Sequence, residues 1–148
     1  MAVAENLSGG LAVVFTAGGA EYGLRIGQVQ EIIRPLPIAR VPNSPESIEG
    51  VINLRGNIIP VINLHKRLSL GGRKNSERSR VIIVRTQDMT AGIIVDSVKE
   101  VLDLPVEYIK TPQTDKMDVA GLLGIGKSTD HVFILLDLEN ILSEGGRE

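Results

Sequence analysis

Apolar positions fall in short runs rich in Val and Ile, broken about every ten residues by Gly, Pro, Asn or Asp. Runs of that length bounded by turn formers predict strands rather than helices. They lie at residues 11–17, 22–26, 29–34, 48–55, 58–62, 80–86, 90–95, 98–103, 119–125 and 131–136. Short helices are expected at 63–68 and 138–142, with Asn63 and Asp137 as side-chain caps. A chain of many short strands without regular helices between them folds as antiparallel sheet, in barrels or a sandwich.

The turns refine this. Gly18-Gly19 suits a first hairpin, and Gly56-Asn57 tolerates positive φ between two apolar strands. Pro60 interrupts an apolar run and cannot donate to a ladder, so its strand is expected at a sheet edge or a bulge. Pro35, Pro37, Pro42 and Pro45 make residues 35–45 an extended connector. The polar stretch 69–79 reads as an exposed loop that divides the chain into comparable halves. Val51-Ile52-Asn53-Leu54 returns as Val61-Ile62-Asn63-Leu64, an echo expected of matched strands in one hairpin rather than of a repeat architecture.

The 148 residues are 43% hydrophobic with a net charge of −2, which excludes a disordered chain and suits one domain, expected over residues 11–142 with flexible tails at 1–9 and 145–148. Without cysteine there is no disulfide, zinc knuckle or thiol nucleophile. No apolar run reaches a membrane span and the N-terminus lacks a signal-peptide pattern, so no membrane insertion and a cytoplasmic location are expected.

Candidate chemistry is sparse. His65 and His131 are far apart in sequence and have no acidic neighbour at metal-ligand spacing; His65-Lys66-Arg67 reads as a solvated helix face. Asp96-Ser97 has no histidine nearby in sequence. Gly121 to Gly126 reverses the dinucleotide fingerprint and no helix follows, so a hairpin with close strand packing is expected, and no cofactor. Residues 73–80 are basic and could touch phosphates, which gives a second functional class, a small β-barrel nucleic-acid-binding protein. The absence of aromatics between Tyr22 and Tyr108 favours a solvated loop and no nucleic acid. Arg55, beside a glycine turn, suits either a snorkelling turn residue or bidentate capture of a partner carboxylate. Glu31, in Val29-Gln30-Glu31-Ile32, carries the opposite charge.

In their order along the chain these motifs resemble the CheW-like chemotaxis coupling proteins. The resemblance rests on Glu21-Tyr22-Gly23-Leu24 with Val29-Gln30-Glu31-Ile32, and on Ile48 to Gly56 with Ile59-Pro60-Val61-Ile62-Asn63-Leu64. It continues through Gly92 to Val98 with Val101-Leu102, and ends in the hairpin at 121–125. It implies two intertwined five-stranded SH3-like β-barrels with a short C-terminal helix. It also implies a non-enzymatic adaptor that joins the signalling tips of methyl-accepting chemoreceptors to the regulatory domain of the chemotaxis histidine kinase, recruited to receptor arrays at the inner face of the membrane. The receptor-binding groove it implies contains Val29, Glu31, Gly50, Arg55 and Val101.

Overall fold

The computed structural model describes residues 10–73, 75–104, 109–110, 122–127 and 132–147. Its strands are β1 (Gly10–Ala17), β2 (Ala20–Arg25), β3 (Val29–Ile33), β4 (Ile48–Leu54), β5 (Asn57–Asn63), β6 (Arg80–Arg85), β7 (Thr90–Val95), β8 (Ser97–Leu104), β9 (Ile109–Lys110), β10 (Leu122–Lys127) and β11 (Val132–Leu136). The helices are α1 (Leu64–Arg67) and α2 (Leu138–Arg147), the second continuing well past the predicted end at 142. Asn63 and Asp137 cap them as expected, accepting from the N–H groups of Lys66 and Asn140. The predicted tail at 1–9, residues 119–121 of the expected ninth strand and His131 at the start of the tenth lie outside the described residues.

Two sheets form, in the orders β8-β1-β2-β11-β10-β9 and β3-β6-β7-β5-β4. The mostly β, SH3-like expectation holds, with one correction: neither sheet closes as a five-stranded barrel, since one has six strands and the edges of the other, β3 and β4, share no ladder. An isolated Ala39–Val51 bridge from the Pro-rich connector extends the β4 edge instead.

Each sheet takes strands from both halves of the sequence. Hairpin β1–β2 joins the C-terminal strands, whereas hairpin β6–β7 joins β3, β4 and β5. The halves correspond: Gly23 matches Gly92, Val29 matches Val98, and Val29-Gln30-Glu31-Ile32-Ile33 matches Val98-Lys99-Glu100-Val101-Leu102. Gln30 and Lys99 are each skipped by a bulge, so Val29 and Glu31 face Val84 and Ile83, while Val98 and Glu100 face Phe15 and Val14. The parallel pairings match as well, Gly92 with Val61 and Gly23 with Leu135. Each glycine is required by close approach, because an added Cβ would lie 2.5 Å from Phe133 at Gly23 and 2.7 Å from Val81 at Gly92. The Val51/Val61 echo is, as expected, the two strands of hairpin β4–β5.

The exchanged hairpins are buried on both faces. Val81, Ile83 and Ile94 point into the second sheet's own core with Ile52, Leu54 and Val61. Ile82, Val84 and Ile93 point the other way, into a shared core with Phe15, Leu24, Ile62, Leu136 and Ile141. Ala12, Val14, Phe133 and Leu135 fill the interior of the first sheet. Burial on both faces explains why these strands read as continuous apolar runs.

Two local expectations are corrected. Pro60 lies in β5, an interior strand, not at an edge. Val51, opposite Pro60, exchanges both backbone hydrogen bonds with Ala39, so the proline nitrogen is turned away from β4. The ladder to β7 begins only at Val61, so no donor is missed there. His65 is not on a solvated face: it is 3% exposed, and its Nε2 lies 3.1 Å from Asp96 Oδ1. Asp96 Oδ2 accepts the Gly18 N–H at 2.9 Å, and the Asp96 N–H donates to Thr16 O at 2.9 Å. This node ties α1, beside the second sheet, to the first hairpin turn of the other sheet.

Because the hairpins are exchanged, we propose that residues 11–142 form one cooperative unit. A single unfolding transition is expected, and neither half of the chain folds when expressed alone. Ile93→Ala should cost about 2–5 kcal/mol in a denaturant melt while keeping one transition. Two resolved transitions would contradict the shared core. Asp96→Ala, which removes two hydrogen-bonded contacts, should cost about 1–3 kcal/mol in the same measurement.

Candidate functional site

The turn between β4 and β5 pairs Leu54 with Asn57, leaving Arg55 and Gly56 as a two-residue reversal with φ of 52° and 91°. The positive φ angles fall on Arg55-Gly56, not on the expected Gly56-Asn57, because Asn57 already belongs to the ladder. A non-glycine residue in this region costs about 1–2 kcal/mol. Asn53 Oδ1 accepts the Gly56 N–H at 2.8 Å and braces the turn. That conformation carries the Arg55 side chain toward β3, where its guanidinium donates to a Glu31 carboxylate oxygen.

Glu31 and Arg55 therefore meet across the open seam between the two edge strands of the second sheet. The Arg55 side chain is 66% exposed and that of Glu31 28%. An ion pair this exposed contributes roughly 0.2–1 kcal/mol, less than or comparable to the backbone strain at Arg55. Stability alone does not account for an arginine here.

The other expected site residues are placed differently. Val29 is half-buried and packs on the shared core. Gly50, on β4 at φ 155°, has a backbone reason to be glycine: an added Cβ would collide with the Ala39 carbonyl oxygen. Val101 is 47% exposed on β8, the edge strand of the other sheet, opposite Val13 on β1. The structure thus joins Glu31 to Arg55 and leaves Val101 on a separate sheet.

A cleft of about 770 Å³ lies between the sheets. Its walls are Thr16, Glu21, Ser97, Val98 and Lys99 on one side, with Ile32 and Arg80 on the other. Lys99 Nζ pairs with Glu21 Oε2 at 3.2 Å, and the Thr16 and Ser97 hydroxyls are 2.8 Å apart. None of the five expected residues lines this cleft, although Ile32 directly follows Glu31 and Val98 lies three residues before Val101. Arg55 borders a smaller hollow of about 390 Å³ with Gln30, Ile58, Arg85 and Thr90. Ile32 and Val98 were missed as lining residues, and the signal was present in the matched Val-Gln-Glu-Ile and Val-Lys-Glu-Val segments.

In the basic segment two of the arginines are engaged by neighbouring groups of the protein itself. The Arg73 side chain is 8% exposed and bonds to Asn75. Arg80 donates to the carbonyls of Glu77 and Ser79. No group of His, Asp and Glu among the described residues could hold a metal ion. Burial pushes the Tyr22 hydroxyl above its ordinary pKa, so it stays neutral in the shared core.

Comparison with known proteins places this geometry in context. A family model described as the CheW-like domain matches residues 11–145. A chemotaxis protein CheW of Klebsiella aerogenes is 37% identical over 133 residues, covering 88% of this chain and 80% of its own. One from Bacillus subtilis is 33% identical over 143 residues, covering 95% and 92%. The crystal structure of the scaffolding protein TtCheW from Thermoanaerobacter tengcongensis superposes with a TM-score of 0.80 at 42% identity, over 88% of this chain and 85% of that one.

Arg55→Gly relieves the left-handed strain and removes the ion pair, so the two effects offset. Its unfolding free energy should stay within about 1 kcal/mol of the parent in a urea melt. Gly50→Val should instead lower it by several kcal/mol, since the added side chain meets backbone that cannot give way.

Proposed function

Because the chain belongs to the CheW-like domain family, we propose that it is a non-enzymatic coupling adaptor in chemotaxis signal transduction, holding chemoreceptor signalling tips and the regulatory domain of the histidine kinase in one complex. The observation that carries this is the pair of edge strands, β3 and β8, which turn toward one cleft from two sheets that share a core. Unpaired strand edges beside aliphatic side chains are surfaces that other chains can join. A fold with two such edges on one rigid core can hold one partner against another.

We assign the receptor contact to Val29, Glu31, Gly50, Arg55 and Val101 in unequal roles. Arg55 and Val101 are exposed and can touch a partner directly. Glu31 orients the Arg55 guanidinium. Val29 and Gly50 act through the backbone they support, being partly buried and sterically confined respectively. No described helix is long and apolar enough to cross a membrane. We take the adaptor to work in the cytoplasm, reaching receptor arrays through its partners.

The test is binding of purified receptor signalling fragment and kinase regulatory domain, each measured against parent and variants by calorimetry. Arg55→Ala should weaken receptor binding by about 1–3 kcal/mol, the value of a lost charged hydrogen bond, with an unchanged melt. Val101→Asp should weaken the receptor complex by several kcal/mol, because a charge is set against an apolar surface, and should spare the kinase complex. Equal loss toward both partners in a normally melting protein would mean that one surface serves both, which the adaptor mechanism forbids.

A further inference from the structure

Neither half of the chain builds a sheet of its own. Among the described residues, the ladders inside the first half are the hairpins β1–β2 and β4–β5, which do not pair with each other. In the second half, β6–β7 stands equally apart from the β9–β10–β11 meander. Every other ladder crosses between the halves: β1 with β8, β2 with β11, β3 with β6 and β5 with β7. The shared core is drawn from both halves as well.

The covalent link between the halves is the connector at 68–79. Its start stays with the first half, where Arg73 lies 4.0 Å from Glu49. Its end stays with the second, where the Ser76 N–H donates to Ser79 Oγ and the Glu77 carbonyl accepts from Arg80. Gly71 and Gly72 between them are exposed. Fully extended, residues 70–79 reach about 30 Å, the diameter of a small domain. No ladder therefore requires that the halves it joins belong to one molecule. A half from a second copy presents the same registers and the same apolar faces, and only the course of the connector differs.

We propose that the chain also forms a dimer with a second copy of itself by exchange of halves, the first half of each molecule pairing with the second half of the other. Each lobe keeps both sheets and the shared core, so the exchange forfeits few contacts. The inter-sheet cleft is then built by two chains: Thr16, Glu21 and Ile32 come from one copy, and Arg80, Ser97 and Val98 from the other. One dimer carries two such clefts, joined by two connectors. A tether of this length sets an effective concentration on the order of millimolar. Pairing within one chain therefore wins in dilute solution, and exchange competes when folding occurs at high concentration. Passage between the two forms opens both sheets, so each form persists once folded.

The experiment uses the full chain, which has no cysteine of its own. Thr16 and Ser97 face each other across β1 and β8, with their hydroxyls 2.8 Å apart. The single variants Thr16→Cys and Ser97→Cys are unfolded in urea, mixed, refolded together under reducing conditions and then oxidised. Refolding at about 0.5 mM should yield a covalent heterodimer, and refolding at about 5 µM more than tenfold less of it. The double variant, refolded dilute, should close the same bridge within one chain. The parent refolded at the higher concentration should give a dimer on size exclusion that separates after dilution no faster than the monomer unfolds. Equal heterodimer yield from variants folded separately and mixed as native proteins would overturn the proposal, because it would mean collision of surfaces. Monomer alone at both concentrations, or a dimer that separates faster than the monomer unfolds, would overturn it as well.

Discussion

Two hairpins, β1–β2 and β6–β7, are buried on both faces, and the rest of the molecule is arranged around covering them. A strand buried on one face can border solvent, but one buried on both must sit between two layers. Each hairpin lines its own sheet with one face and the shared core with the other. The exchange between halves follows, because the covering strands come from the opposite half of the sequence. Caps, bulges and close-packed glycines recur at matched positions because each copy meets the same packing demand.

What the exchange leaves open is equally consequential. The second sheet gathers its strands without pairing β3 to β4, so its two edges approach without a ladder. The seam is spanned by side chains and by one bridge from the proline-rich connector. Arg55 is held in a left-handed turn to reach Glu31, and strain of that kind persists only where the surroundings enforce it. Here the enforcement comes from the two-residue turn and the Asn53 brace. An exposed charge at a seam, fixed by backbone geometry, can be used by a partner at little entropic cost, which is why the site fits an adaptor better than it fits a fold requirement.

The inter-sheet cleft is bounded by equivalent edges but is not symmetric. On the first-sheet side Lys99 is tied to Glu21, whereas on the second the corresponding bulge carries a neutral Gln30. His65 and Asp96 occur on one side only, linking α1 to the first hairpin turn. A duplicated scaffold whose two copies have diverged at charged positions presents different chemistry at each edge. That difference is what an adaptor requires to tell two partners apart.

Local structure was legible in the sequence: nearly every strand, both helix caps and the first hairpin turn. Those follow from period, propensity and turn chemistry, which act over a few residues. The order of its motifs also carried the family. Tertiary structure alone decided which strands pair, because an apolar run records that it will be buried and not against what. Hence the interior placement of Pro60 and the burial of His65 against Asp96 were not legible, and the intertwining of the halves was implied by the family resemblance and not by any local pattern; each depends on a contact between residues distant in the chain. The candidate site divides along the same line. Arg55 and Glu31 could be picked out as complementary charges, but their meeting required the seam. Val29 and Gly50 proved to be packing positions once their neighbours were in place. The buried Arg25 is the clearest case, since a charged residue at a strand end is unremarkable until the sheet closes over it.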